Sequence, residues 1–137
     1  MLAPALPVTP GLHTVIRMQG RVLVIEDDTA IRLLISDALR EKGFDVIAAM
    51  DGSHALRTAL AARPAAVVLD LGLPEMDGAD FVAHWRERAP SAKGVPILVV
   101  SGRPEAREVA AQIGATRLFT KPFIVDELVS EVARALN

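Results

Sequence analysis

The sequence predicts an α/β domain in which five parallel strands alternate with five helices in one doubly wound sheet. Three observations carry that expectation. A length of 137 residues suits one domain. Short apolar runs such as Val22-Leu23-Val24-Ile25 read as strands buried on both faces of a parallel sheet. Between the runs lie segments with apolar residues at helical spacing, punctuated by Gly, Pro and Asp.

Each element has its own reason. The first strand covers Val22 to Ile25. Asp28-Thr29 then offers capping oxygens to a helix whose apolar stripe is Ile31, Leu34, Ile35, Ala38 and Leu39, ended by Gly43. Phe44 to Ala49 is the second strand. Asp51-Gly52 is a turn, and Ser53 to Ala62 a helix with Ala55, Leu56, Ala59 and Leu60 on one face, stopped by Pro64. Ala65 to Leu69 is the third strand, ending at Asp70. Gly72, Pro74 and Gly78 mark a loop, and Asp80 to Arg88 is a helix turning Phe81, Val82 and Trp85 inward. Pro96 to Val100, Pro104 to Ile113, Arg117 to Phe119 and Val125 to Leu136 read as strand, short helix, brief strand and final helix. Right-handed crossovers then favour the strand order 2-1-3-4-5, with a site at the carboxyl ends of the strands.

Composition narrows the function. With 51% hydrophobic and 23% charged residues the chain is globular rather than disordered. The absence of cysteine removes disulfide scaffolds, thiol catalysis, zinc fingers and iron–sulfur sites. A net charge of −2 leaves no broad basic surface for nucleic acid. No apolar run approaches the roughly 18 residues that span a membrane, and no signal peptide is legible. A cytoplasmic protein without membrane insertion is expected. Residues 1–20, broken by Pro4, Pro7, Pro10 and Gly11, read as a flexible tail ahead of a folded domain over 21–137.

The polar residues at the strand ends are the informative ones. Glu26-Asp27-Asp28 follows the first strand, Asp70 ends the third, Ser101 ends the fourth, and Lys121-Pro122 follows the fifth. In the order 2-1-3-4-5 the first, third and fourth strands are neighbours, so these ends converge on one crevice. Clustered carboxylates repel and raise one another's pKa unless a cation sits among them. An all-oxygen set without His or Cys favours Mg²⁺, with Mn²⁺ as the alternative ion. A carboxylate nucleophile, a divalent metal, a lysine and a hydroxyl together suit transfer of a phosphoryl group onto a carboxylate.

Four segments, in order, make the reading specific. They are Val22-Leu23-Val24-Ile25-Glu26-Asp27-Asp28, then Val67-Val68-Leu69-Asp70-Leu71-Gly72-Leu73-Pro74-Glu75-Met76-Asp77-Gly78, then Ile97-Leu98-Val99-Val100-Ser101-Gly102, then Thr120-Lys121-Pro122-Phe123. Over Arg21 to Asn137 the chain resembles the receiver domain of two-component response regulators. The resemblance implies the flavodoxin-like (βα)5 fold and a role for each residue. Asp70 accepts phosphoryl from a phosphohistidine. Asp27 holds Mg²⁺ directly and Glu26 through water, with Asp70 and the Gly72 backbone carbonyl as further ligands. Ser101 and Lys121 contact the phosphoryl group, and Pro122 follows a cis bond.

Bland readings prevail elsewhere. Asp28 is a helix cap, Asp77-Gly78 a helix start, and Phe81 and Trp85 core. His13, His54 and His84 match no motif. Lys121 stands out because the chain uses 12 Arg and only 3 Lys.

Three features depart from the family pattern. Leu118 occupies the position, three before Lys121, where a switch aromatic is usual, and strand alternation puts Phe119 on the opposite face. The stretch from Ser101 to Lys121 is short, so the fourth helix should be short. Ile124 stands where a capping Ser or Asp is typical, at a cost of about 1 kcal/mol.

The chain ends at Asn137 directly after the last helix. The expectation is therefore a stand-alone receiver, a phosphorylation-controlled protein–protein switch and not a conventional enzyme. Its partners would be a histidine kinase or histidine phosphotransfer protein and a downstream protein target, without nucleic acid, as a monomer or a weak phosphorylation-dependent dimer. A phosphorelay shuttle or phosphate sink is the alternative, favoured by the missing aromatic. A receiver fragment of a larger kinase is a further one. An aspartyl-nucleophile phosphohydrolase is remote, because haloacid-dehalogenase-like enzymes place a second acid two residues after the nucleophile, where Gly72 stands.

Overall fold

The computed structural model describes residues 20–137. The expected tail, with His13, lies outside the described residues except for Gly20, whose carbonyl accepts from the Asp45 amide at 3.0 Å. Five strands form one parallel sheet: β1 (Arg21–Ile25), β2 (Asp45–Ala49), β3 (Ala66–Asp70), β4 (Ile97–Ser101) and β5 (Arg117–Thr120). Their order is β2-β1-β3-β4-β5. The helices are α1 (Thr29–Glu41), α2 (Gly52–Ala62), α3 (Gly78–Arg88), α4 (Ala106–Gln112) and α5 (Val125–Leu136), with a short 3₁₀ turn over Pro90–Gly94.

Two apolar layers hold the sheet. On one face Leu23, Ile25, Val67, Leu69, Ile97 and Val99 meet Leu56 of α2, Phe81 and Trp85 of α3, and Ala106 and Ala110 of α4. On the other, Val22, Val24, Val68, Leu98, Val100 and Phe119 meet Ile35 and Leu39 of α1 and Leu128, Val129 and Val132 of α5. Successive residues of each strand alternate between these layers, as the pleat requires. β3 and β4 are buried along their whole length, which is why their sequences are apolar without alternation. Phe81 and Trp85 stack at 5.6 Å between ring centroids, as core residues.

Side-chain caps start three helices. Asp28 accepts from the Ile31 amide at 3.0 Å, Asp51 from His54 at 2.8 Å, and Asp77 from Asp80 at 2.9 Å. α5 begins at Ile124 without a side-chain cap. α4 has seven residues and no side-chain cap. Both accord with the sequence reading.

The element boundaries differ from those expected of the sequence by one or two residues at most ends. Two larger differences stand out. Leu34 belongs to the apolar stripe of α1, yet it is exposed, as is Leu33. The helix buries Ile35, Ser36 and Leu39 and packs Ile31 and Ala38 partly buried against the same layer, so the packed arc is rotated past Leu34 alone. The 3₁₀ turn over Pro90–Gly94 has no counterpart among the expected elements, because five residues bounded by Pro and Gly are too short to show a helical period.

Candidate functional site

Strand register brings the polar ends together. Ile25 pairs with Leu69, so Glu26 and Asp70 stand level at the carboxyl edge. Asp70 pairs with Val100, so Ser101 lies one residue beyond it. Ser101 pairs with Thr120, which carries Lys121 to the same edge. The arrangement arises because parallel strands all end at one side of the sheet.

Oxygens of Glu26, Asp27 and Asp70 lie within 4.8 Å of one another. Glu26 and Asp70 are buried, whereas Asp27 is exposed. The Lys121 ammonium sits 3.1 Å from Glu26 Oε1 and 3.7 Å from Asp70 Oδ2. Asp70 Oδ1 accepts from the Gly72 amide at 3.1 Å. Ser101 is buried, and its Oγ accepts from the Arg103 amide at 3.1 Å. The Lys121–Pro122 peptide is cis. Every residue singled out at the strand ends is thus gathered at one edge.

Burial and charge set the protonation. Burial, and then the neighbouring Asp70 carboxylate, push the Glu26 carboxyl up to about 7. Burial works against the charge on Lys121, but Glu26 and Asp70 outweigh it and hold the ammonium above its ordinary value. With all groups ionised, three carboxylates and one ammonium leave the cluster at a formal −2. One divalent cation would neutralise it. The donor set is all oxygen, with one exposed carboxylate open to an entering ion, and it fits Mg²⁺ or Mn²⁺.

Two arginines at the site are not among the residues the sequence singles out. Arg32 Nη1 donates to the Glu26 carbonyl at 2.9 Å and lies 3.4 Å from that of Asp27, and Nη2 lies 3.3 Å from Thr29 Oγ1. It ties the acidic loop to the first turn of α1. Arg103 is bound twice to Glu105, at 2.7 and 3.0 Å, and Nη1 reaches the Leu71 carbonyl at 3.5 Å. The available signals are a basic residue one turn into the helix after an acidic loop, and another two residues past Ser101. Neither pattern is specific enough to single them out.

The departures from the family pattern are visible in the packing. Leu118 packs, partly buried, with the α2–α4 layer. Phe119 is buried in the opposite layer, and the Arg117 guanidinium covers its ring at 4.5 Å.

Comparison with known proteins agrees with this geometry. The model of the response regulator receiver domain family matches residues 22–133. The transcriptional regulatory protein PrrA of Mycobacterium tuberculosis is 38% identical over 119 residues, which are 85% of this chain and 50% of that protein. The transcriptional regulatory protein KdpE of Staphylococcus aureus is 36% identical over 117 residues, 84% of this chain and 49% of its own. The chain therefore spans about half the length of the curated relatives it matches. Among solved structures, Vibrio cholerae chemotaxis protein CheY4 superposes with a TM-score of 0.76 at 32% identity, covering 84% of this chain and 97% of that one. A putative response regulator from Chloroflexus aurantiacus gives 0.78 at 30% identity over 85% and 97%. The strand order, the acidic edge and a family match across nearly all the described residues converge: this chain belongs to the response regulator receiver domains of two-component systems.

Proposed function

We propose that Asp70 is the phosphoacceptor of a Mg²⁺-dependent signalling switch charged by a phosphohistidine-bearing partner. The observation that carries this reading is the position of Lys121, whose ammonium lies within reach of both Glu26 and Asp70 beside the acidic cluster. An Asp70 oxygen attacks the phosphorus. The P–N bond to the donor imidazole breaks, its electron pair returns to nitrogen, and an acyl phosphate forms. Glu26, Asp27, Asp70 and the Gly72 carbonyl are the residues that would hold the metal, Glu26 by way of a water. The bound ion supplies charge neutralisation for the transferring oxygens. Lys121 pairs with the phosphoryl oxygens and Ser101 donates its hydroxyl to them. The Gly72 amide, already on Asp70 Oδ1, fixes the carboxylate's orientation.

A protein donor has a surface to approach. Ile31, Leu34, Pro122 and Phe123 line an apolar cleft of about 430 Å³ directly beside Lys121. The exposed Leu34 of α1 belongs to it. A histidine kinase or histidine phosphotransfer protein is the partner class proposed, with a downstream protein target. Leu118 favours the relay-shuttle form of this reading, since a shuttle needs the chemistry more than an aromatic readout. Several relatives are named DNA-binding or transcriptional regulators, so action through protein contacts alone is a property proposed for this domain only.

Phosphoramidate, a small P–N donor, tests the proposal. With Mg²⁺ the intact mass should rise by one phosphoryl group, and chelation should abolish the gain. Lys121→Met should slow it by roughly 10²-fold, the scale of losing one preorganised charge. A gain indifferent to both chelator and Lys121 would refute the assignment.

A further inference from the structure

We infer that a second binding site, for a small amphipathic anion, lies at the opposite edge of the sheet from Asp70. A cavity of about 390 Å³ opens where α2 and α3 end, and Leu60, Arg63, Trp85, Arg88, Ser91 and Val95 are among its walls. It sits at the amino-terminal edge of β3 and β4. The length of β3, about 13 Å at 3.3 Å per residue, separates it from the phosphoacceptor.

Three observations point to a ligand. The wall is apolar at depth: Trp85 and Ala92 are each 2% exposed. Two arginines, Arg63 and Arg88, both exposed, line its rim, and no acidic side chain of the described residues lines the cavity. Neither Arg63 nor Arg88 has a side-chain hydrogen bond or ion pair among the described residues, as is also true of Arg57, Arg86 and Arg107, whereas five other arginines form ion pairs; of these unpaired arginines only Arg63 and Arg88 line the cavity.

The charge balance decides between dipole capping and ligand binding. The carboxyl termini of two helices meet here, each worth roughly −0.5 of an elementary charge. Two guanidiniums supply +2. Capping the dipoles therefore leaves about +1 unanswered, enough for a singly charged head group. Backbone strain points the same way. Arg63 is held in the left-handed region at φ 51°, where glycine is the low-cost residue. A side chain kept there at a cost of about 1 kcal/mol or more is typical of sites where it is used. The cavity's size and apolar depth suit a short chain or single ring, and its rim suits a carboxylate or phosphate monoester on that body.

Trp85 is the chain's single tryptophan, so its emission reports on this cavity. The full chain is titrated with hexanoate and with hexyl phosphate, using hexan-1-ol as the body without the head and inorganic phosphate as the head without the body. At least one of the two acids should give a saturable change in the millimolar range or below. Hexanol and phosphate should each bind at least about tenfold more weakly, a difference of about 1.4 kcal/mol. The preferred acid identifies the head group. The double variant Arg63→Gly with Arg88→Gln should weaken binding at least tenfold. Glycine suits the left-handed backbone at position 63, so the variant should keep the far-ultraviolet spectrum of the wild type and melt no lower than it. Asp70→Ala should leave the affinity unchanged, which separates this site from the acidic edge. No saturable response to either acid, equal binding of hexanol, or full affinity in the folded double variant would overturn the inference.

Discussion

At the scale of single residues, Glu26 is the group whose titration the fold alters most visibly. Its carboxyl rises from 4.5 to about 7. A folded-state pKa raised above the unfolded one means that the folded, metal-free protein holds a proton the unfolded chain has lost. The contribution to stability is whole below about pH 4.5 and disappears as pH rises through about 7. An entering cation needs the ionised form and expels that proton. Calorimetry in buffers of different ionisation enthalpy should thus show up to about one proton released per Mg²⁺ near pH 6, fading to none above about pH 8, with apparent affinity rising over the same span. A pH-independent affinity would contradict the burial argument. The identity of this cluster is legible in the sequence because Glu26, Asp70, Ser101 and Lys121 all sit at strand ends, where parallel pairing must gather them. Arg32 is not, since a basic residue on a helix's first turn has many uses, and only the folded chain shows its hydrogen bond to the Glu26 carbonyl.

At the scale of elements, helix starts divide the fold into well-tied and loosely tied parts. α1, α2 and α3 begin on aspartate caps, whereas α4 and α5 have none. Ile124 is 61% exposed at an extended backbone position of φ −96° and ψ 116°, the conformation of a capping residue. Ile124→Asp should therefore add about 1 kcal/mol, through a bond to a free amide of the first turn and through the helix dipole. For a domain of this size that is a melting temperature higher by a few degrees, read by differential scanning calorimetry. No gain would mean that water already satisfies the first turn. This missing cap can be read directly from the sequence, as can the shortness of α4, because both depend on local spacing. The exposure of Leu34 cannot. The stripe Ile31, Leu34, Ile35, Ala38 and Leu39 is consistent with a wide buried face; docking of α1 on the sheet buries Ile35, Ser36 and Leu39, packs Ile31 and Ala38 partly buried beside them, and leaves only Leu34 of the stripe exposed.

At the scale of the whole molecule, alternation of strand and helix determines the topology. Continuous apolar strands demand cover on both faces, and right-handed crossovers then leave few orders, of which 2-1-3-4-5 is the one observed. The output of the signal is less legible, because partner choice lies in surface detail and in longer architectures such as those of the relatives. A formal −2 in the acidic cluster makes metal binding a stabilising event for the entire fold. At about ten times the dissociation constant, Mg²⁺ should add about 1.4 kcal/mol, visible as a rise of a few degrees in the thermal midpoint. Asp27→Ala should remove most of that rise while leaving the metal-free midpoint close to the wild type, since Asp27 is exposed. An equal rise in the variant would place the metal elsewhere. The central claim, that Asp70 carries the phosphoryl group, has a direct test. Protein treated with phosphoramidate and Mg²⁺ is reduced with borohydride, which converts an aspartyl phosphate to homoserine, and the peptides are sequenced by mass spectrometry. Homoserine at position 70, and none in Asp70→Ala, is the result predicted. Homoserine at position 27, the corresponding alcohol at position 26, or phosphate retained on a serine such as Ser101 would contradict it.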